Sequence, residues 1–123
     1  MTSDTPWRVV VVDDEEDFVI LISRVLRDDT RFEVVGTACS VSTALVQLEA
    51  ERPDLVVLDH GLPDAWGVQA ARSLRSVSEG SHIVICSAAM QTTDADPVYI
   101  DGWVDKGDLF DLPDVLAAMM HVA

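Results

Sequence analysis

Apolar residues follow two rhythms along the chain. Short β-branched runs alternate with segments in which every third or fourth residue is apolar, and that alternation sets the order of elements. Arg8 to Asp13 encloses four consecutive valines, as a strand buried on both faces would, and ends abruptly in acid. Phe18, Leu21, Ile22, Val25 and Leu26 then fall on one helical face. Phe32 to Ala38 reads as a second strand, weakened by Gly36. Val41, Ala44, Leu45 and Leu48 form the next helical stripe, with Ser40 placed to cap it and Pro53 to stop it. Leu55 to Leu58 is a third strand that runs into Asp59. Ala65 to Val77 carries Ala70, Ala71 and Leu74 on one face and ends in the breaker Ser78-Glu-Gly80. His82 to Cys86 and the shorter Ile100 to Val104 are strands four and five. A last helix presents Leu112, Val115, Leu116, Met119 and Met120, with Pro113 tolerated in its first turn. Between strands four and five the pattern fails: Met90 to Val98 has no apolar period, and Pro97 argues against a full helix.

Strands alternating with helices imply βαβ units and a parallel sheet, and right-handed crossovers put helices on both of its faces. The predicted fold is therefore α/β, a doubly wound five-stranded parallel sheet with its fourth helix shortened or irregular. No repeat, linker or low-complexity stretch divides the chain, and 123 residues suit one domain, taken as 1–123. Binding crevices in such sheets lie at the carboxyl ends of the strands.

Composition narrows the function. A formal net charge of −14 repels nucleic acid and anionic membrane, while 49% hydrophobic residues exclude a disordered chain. The chain has sixteen Asp against six Glu, and seven Arg against a single lysine, Lys106. MTSDTPWR lacks the apolar core of a signal peptide, and no apolar run approaches the length of a bilayer span, so a soluble cytoplasmic protein is expected.

The strand ends carry the candidate chemistry. Asp13 and Asp14 follow strand one, Asp59 ends strand three, Ser87 ends strand four and Lys106 follows strand five. Converging carboxylates repel one another unless a cation intervenes, and a hard oxygen-seeking ion such as Mg²⁺ is the natural one. A carboxylate beside such an ion and a lysine can attack phosphorus to form an aspartyl-phosphate, with hydroxyl and ammonium offsetting charge on the phosphoryl oxygens.

From about Arg8 to His121 the sequence resembles the receiver domains of bacterial two-component response regulators. The resemblance rests on Val11-Val-Asp-Asp-Glu15, on Asp59-His-Gly-Leu-Pro-Asp-Ala-Trp-Gly67, on Ser87-Ala88 and on Trp103-Val-Asp-Lys106, in that order. It implies the strand order 2-1-3-4-5, Asp59 as phosphoacceptor and Asp14 as a direct Mg²⁺ ligand. Asp13 would hold the ion through water, and the Gly61 carbonyl would be a further ligand. Ser87 and Lys106 would bind phosphoryl oxygens, and Trp103 stands at the aromatic switch position, where simple packing is an equal reading. The implied partners are a sensor histidine kinase or phosphotransfer protein and an output domain or downstream protein, with no direct contact to nucleic acid. Relatives often dimerise through the face built partly from their fourth helix, so a homodimer of that kind is in doubt here. Cys39 and Cys86 would end strands about 14 Å apart, against the roughly 7 Å a disulfide allows, and both are expected as free thiols.

Bland readings compete at several positions. Glu15, Glu16 and Asp17 suit a helix N-terminus, His60 suits a loop, and Met119 and Met120 suit a core. An aspartate-nucleophile phosphatase would need an acid where Gly61 stands, and a flavodoxin-like nucleotide site would not begin Asp13-Asp-Glu-Glu16. A receiver acting by contact alone, without phosphorylation, is the remaining rival. Gly61 and Ala89 offer no side chain to orient or block water, so unassisted dephosphorylation at an intermediate rate is expected.

Overall fold

The computed structural model describes residues 5–64, 67–87 and 100–122, with the backbone alone at 67, 68, 121 and 122. Five strands form one parallel sheet: β1 (Trp7–Val12), β2 (Phe32–Ala38), β3 (Leu55–Asp59), β4 (His82–Ser87) and β5 (Gly102–Asp105), in the order β2-β1-β3-β4-β5. Four α-helices accompany them among the described residues: α1 (Glu16–Arg27), α2 (Val41–Glu51), α3 (Gly67–Val77) and α4 (Leu112–Val122). The expected fold class and strand order are thus observed. The irregular segment anticipated at residues 90–98 lies outside the described residues, as does Ala89.

Because successive strand residues point to opposite faces, the sheet divides its apolar residues between two cores. Val10, Val12, Val56, Leu58, Ile83 and Ile85 pack on one side with Ala44 and Leu48 of α2 and Ala70, Ala71 and Leu74 of α3. Val9, Val11, Leu55, Val57, Val84 and Cys86 pack on the other with Ile22 and Leu26 of α1 and Leu112 and Leu116 of α4. Burial on both faces explains why these strands read as unbroken apolar runs.

Local chemistry fixes the element ends. Glu16 and Asp17 in the first turn of α1, and Arg24 and Arg27 in its last, complement the helix dipole. Ser40 caps α2 through the Thr43 amide in a reciprocal capping box, and Arg52 ends that helix in the left-handed region at φ 48° ahead of Pro53. β1 is anchored at its start: the Arg8 amide donates to Asp54 Oδ2 at 2.9 Å, and its guanidinium meets Glu51 Oε1 at 2.8 Å. Gly36 marks a bulge, since Val9 pairs with Val34 and Val10 with Gly36. A Cβ at Gly36 would meet the end of the Gln47 side chain of α2, which would have to shift.

Two predicted helix faces are corrected. Leu21 is 39% exposed and Val115 36%, whereas Ser23 and Ala117 are buried. The buried arc of α1 centres on Ile22, Ser23 and Leu26, and that of α4 on Leu112, Leu116 and Ala117, which leaves Leu21 and Val115 beyond its edge. β5 starts later than the sequence suggests, at Gly102, and is followed by a 3-10 turn over Lys106–Asp111 that no periodicity announced. Cys39 and Cys86 are both free, as expected. Met119 and Met120 are half-buried against the second core.

Candidate functional site

Parallel strands deliver their carboxyl ends to one edge of the sheet, and there the predicted polar residues meet. Asp13 follows β1 and takes its place through the backbone: its amide donates to the Ala38 carbonyl at 3.0 Å. Its Oδ1 in turn accepts from the Glu15 amide at 2.9 Å, closing the turn into α1. Asp59 is the last residue of β3, opposite Cys86 of β4, and Ser87 closes β4 opposite Asp105. Asp13, Asp59, Ser87 and Lys106 are all buried, and Asp14 is exposed.

Lys106 sits at the centre of the cluster. Its Nζ lies 2.9 Å from Asp13 Oδ2, 3.1 Å from Asp59 Oδ1 and 3.5 Å from Glu15 Oε1. Burial works against its charge, but the hydrogen bonds to Asp13 and Asp59 outweigh that and raise its pKa above the ordinary lysine value. The pKa of Asp59 is also raised, above that of an ordinary carboxylate. Burial raises its pKa, the Lys106 hydrogen bond opposes this, and the nearby charge of Asp13 adds to the rise.

Oxygen atoms of Asp13, Asp14 and Asp59 lie within 4.8 Å of one another. Asp13 Oδ2 is buried, and its partner among the described residues is the Lys106 ammonium. An acidic, all-oxygen donor set drawn from three carboxylates suits a hard divalent cation. Gly61 stands two residues past β3, exposed.

Trp103 in β5 is half-buried against the core cluster of α2 and α3, and its ring meets that of His60, the residue after Asp59, at 5.6 Å between centroids. Its indole Nε1 is buried and has no hydrogen-bond partner among the described residues. The sequence did not indicate this pairing. It also missed Asp64, whose carboxylate accepts from the Val41 and Ser42 amides at 2.9 and 3.3 Å and so ties the β3–α3 loop to the start of α2. Phe18, read only as a core residue, places its ring 4.1 Å from Lys106 Nζ. Glu15, read as a helix-terminal acid, also reaches the lysine.

Fold and site together define a parallel α/β domain with an acidic, lysine-bearing pocket at its strand ends. The chain belongs to the response regulator receiver domain family, whose model matches residues 9–106. It is 37% identical over 93 residues to a protein-glutamate methylesterase/protein-glutamine glutaminase of Nocardioides sp., an alignment covering 72% of this chain and 25% of that protein. It is 41% identical over 69 residues to the DNA-binding transcriptional activator DevR/DosR of Mycobacterium tuberculosis, covering 56% of this chain and 32% of that one. The signal receiver domain of the response regulator NarL from Mycobacterium tuberculosis superposes with a TM-score of 0.80 at 27% identity, over 94% of this chain and 97% of that one. The chain spans about a quarter of the length of the methylesterases it matches. Among the described residues no helix is long and apolar enough to cross a membrane.

Proposed function

We propose that residues 1–123 act as a single phosphorylatable switch in two-component signalling, with Asp59 receiving a phosphoryl group from a sensor histidine kinase or phosphotransfer protein. The observation that carries this reading is the position of Lys106, with its ammonium between the carboxylates of Asp13 and Asp59 at 2.9 and 3.1 Å.

The roles follow from what each side chain can do in place. An Asp59 oxygen would form the new bond to phosphorus as the bond to the donor phosphohistidine breaks, and the imidazole, protonated on its other ring nitrogen, would leave as the neutral base. Lys106 sets its positive charge beside the acceptor and would offset charge gained by the phosphoryl oxygens, with the Ser87 hydroxyl as a second donor. Asp13, Asp14, Asp59 and the Gly61 carbonyl would hold Mg²⁺, which supplies further positive charge against the transferred group. Trp103, whose ring meets that of the residue next to the acceptor, would respond when that charge arrives. The chain's own chemistry would then be self-catalysed phosphotransfer and autodephosphorylation, in a soluble cytoplasmic protein, with the outcome read by an output domain or a downstream protein.

Incubation with Mg²⁺ and acetyl phosphate, followed by intact mass, tests the reading. Gain of one phosphoryl group in the wild type, and none in Asp59→Ala or in chelator, is the expected result. An unmodified wild type under those conditions would overturn it.

A further inference from the structure

Most of the polar surroundings of Lys106 are carboxylates, but one wall of its socket is not. The Phe18 ring centroid lies 4.1 Å from Nζ, inside the roughly 6 Å over which an ammonium is attracted to an aromatic face. The lysine side chain is 5% exposed, so little water screens that attraction. Phe18 is itself well fixed. Its amide donates to the Glu15 carbonyl at 3.0 Å, and the Glu15 amide is held by Asp13 Oδ1. The ring is half-buried against the core of Val9, Val11 and Leu109. The turn that presents Asp13 and Asp14 therefore also sets the ring.

A ring face differs from a carboxylate in what competes for it. A hard cation or a phosphoryl group entering the site would draw on the oxygens of Asp13 and Asp59, and either would weaken their hold on the ammonium. Neither competes for the ring, since a hard divalent cation keeps to oxygen ligands and a phosphoryl group is anionic. An ammonium that exchanges an Asp59 oxygen for a phosphoryl oxygen keeps its attraction to the ring throughout. We infer that Phe18 is the positioning residue for Lys106, holding the ammonium through cation–π attraction so that the lysine meets the phosphoryl group from a fixed place. The consequence for transfer rests on the phosphoacceptor reading above; the contact itself does not.

Two measurements test it separately. Lys106 is the only lysine in the sequence, so lysine isotopically labelled at Cε gives a single signal. Its proton resonance is expected upfield of an exposed lysine because of the ring current, to stay there in Phe18→Tyr and to move downfield in Phe18→Leu. An unshifted wild-type resonance overturns the contact. The second measurement is the rate of phosphoryl uptake from acetyl phosphate with Mg²⁺ in those variants and in proteins carrying mono-, di- or trifluorinated phenylalanine at position 18. Tyrosine should preserve the rate, leucine should slow it about tenfold, and the logarithm of the rate should fall stepwise with fluorination. Fluorination changes the ring's charge distribution far more than its shape, so a role in packing alone would leave the series flat. A flat series with brisk wild-type uptake overturns the positioning role and leaves the acceptor reading intact. Absence of wild-type uptake overturns the acceptor reading, and the role in transfer with it; the lysine resonance then decides whether the ring holds the ammonium.

Discussion

Lys106 Nζ lies 2.9 Å from Asp13 Oδ2, and the two side chains are only 5% and 1% exposed. A charge pair so enclosed cannot lose one member cheaply, because the other is left buried with its charge uncompensated. Lys106→Met should therefore destabilise the Mg²⁺-free protein by about 3 kcal/mol, read from urea unfolding, and abolish phosphoryl uptake. Added Mg²⁺ should restore more stability to this variant than to the wild type, since the cation would replace the missing charge. Equal gains in both would contradict that account.

Asp59 gives the opposite sign. Burial first, and then the charge of Asp13, hold its folded pKa above the unfolded value, with Lys106 opposing them incompletely. The folded state then binds more protons than the unfolded one above pH 3.8, so stability falls as pH rises through the folded pKa and the loss persists at neutrality. Asp59→Asn should unfold at a higher temperature than the wild type in chelator at neutral pH, with the advantage vanishing in acid. A lower melting temperature for the variant would show that the lysine pair outweighs burial.

Cys86 should shape the alkaline limb. Burial pushes its thiol from 9.0 up to about 12, so the unfolded chain releases that proton at a lower pH than the folded one. Between those values the fold loses about 1.4 kcal/mol per pH unit from this residue alone. Cys86→Val, which keeps an apolar side chain in the core, should flatten the dependence of the urea midpoint on pH over that range. An unchanged slope would assign the loss to other groups.

Asp64 binds the first amides of α2 from a loop that also follows Asp59. Those bonds lower its pKa, with the Val41 amide the larger cause, so their stabilisation is present above pH 3.8 and is lost as pH falls through the depressed value. Asp64→Ala should speed hydrogen exchange at Val41 and Ser42 while leaving the centre of β1 protected. Unaltered exchange at both amides would mean that Ser40 caps the helix unaided.

The fold was legible in the sequence because both core faces draw on the same strands, which leaves runs such as Val9–Val12 and Leu55–Leu58 with no polar interruption. The site was legible because those runs stop in Asp13 and Asp59, and parallel strands bring such stops to one edge. Periodicity located a face on α1 and α4 but not its centre, so Leu21 and Val115 were placed on the wrong side of its margin. The 3-10 turn over Lys106–Asp111 has no apolar period to announce it. Phe18 was hidden for a different reason: its spacing marks it equally as a core residue, and only the folded chain brings Lys106 over its ring. Asp64 and Val41, likewise, meet across a separation of 23 residues that no local pattern encodes.

The four valines of β1 have a consequence for how the chain finds its alignment. A strand of identical residues is degenerate: slid by one position, Val9 and Val11 exchange cores with Val10 and Val12, and each core still receives valine. The information that distinguishes the correct alignment must therefore be written at the two ends of the run. At one end stands Arg8, tied to Glu51 and Asp54; at the other stands Asp13, tied to Ala38, Glu15 and Lys106. The acid of the candidate pocket thus serves as a punctuation mark for the strand that carries it, and its replacement should raise pairing errors during folding, apart from any effect on the proposed chemistry.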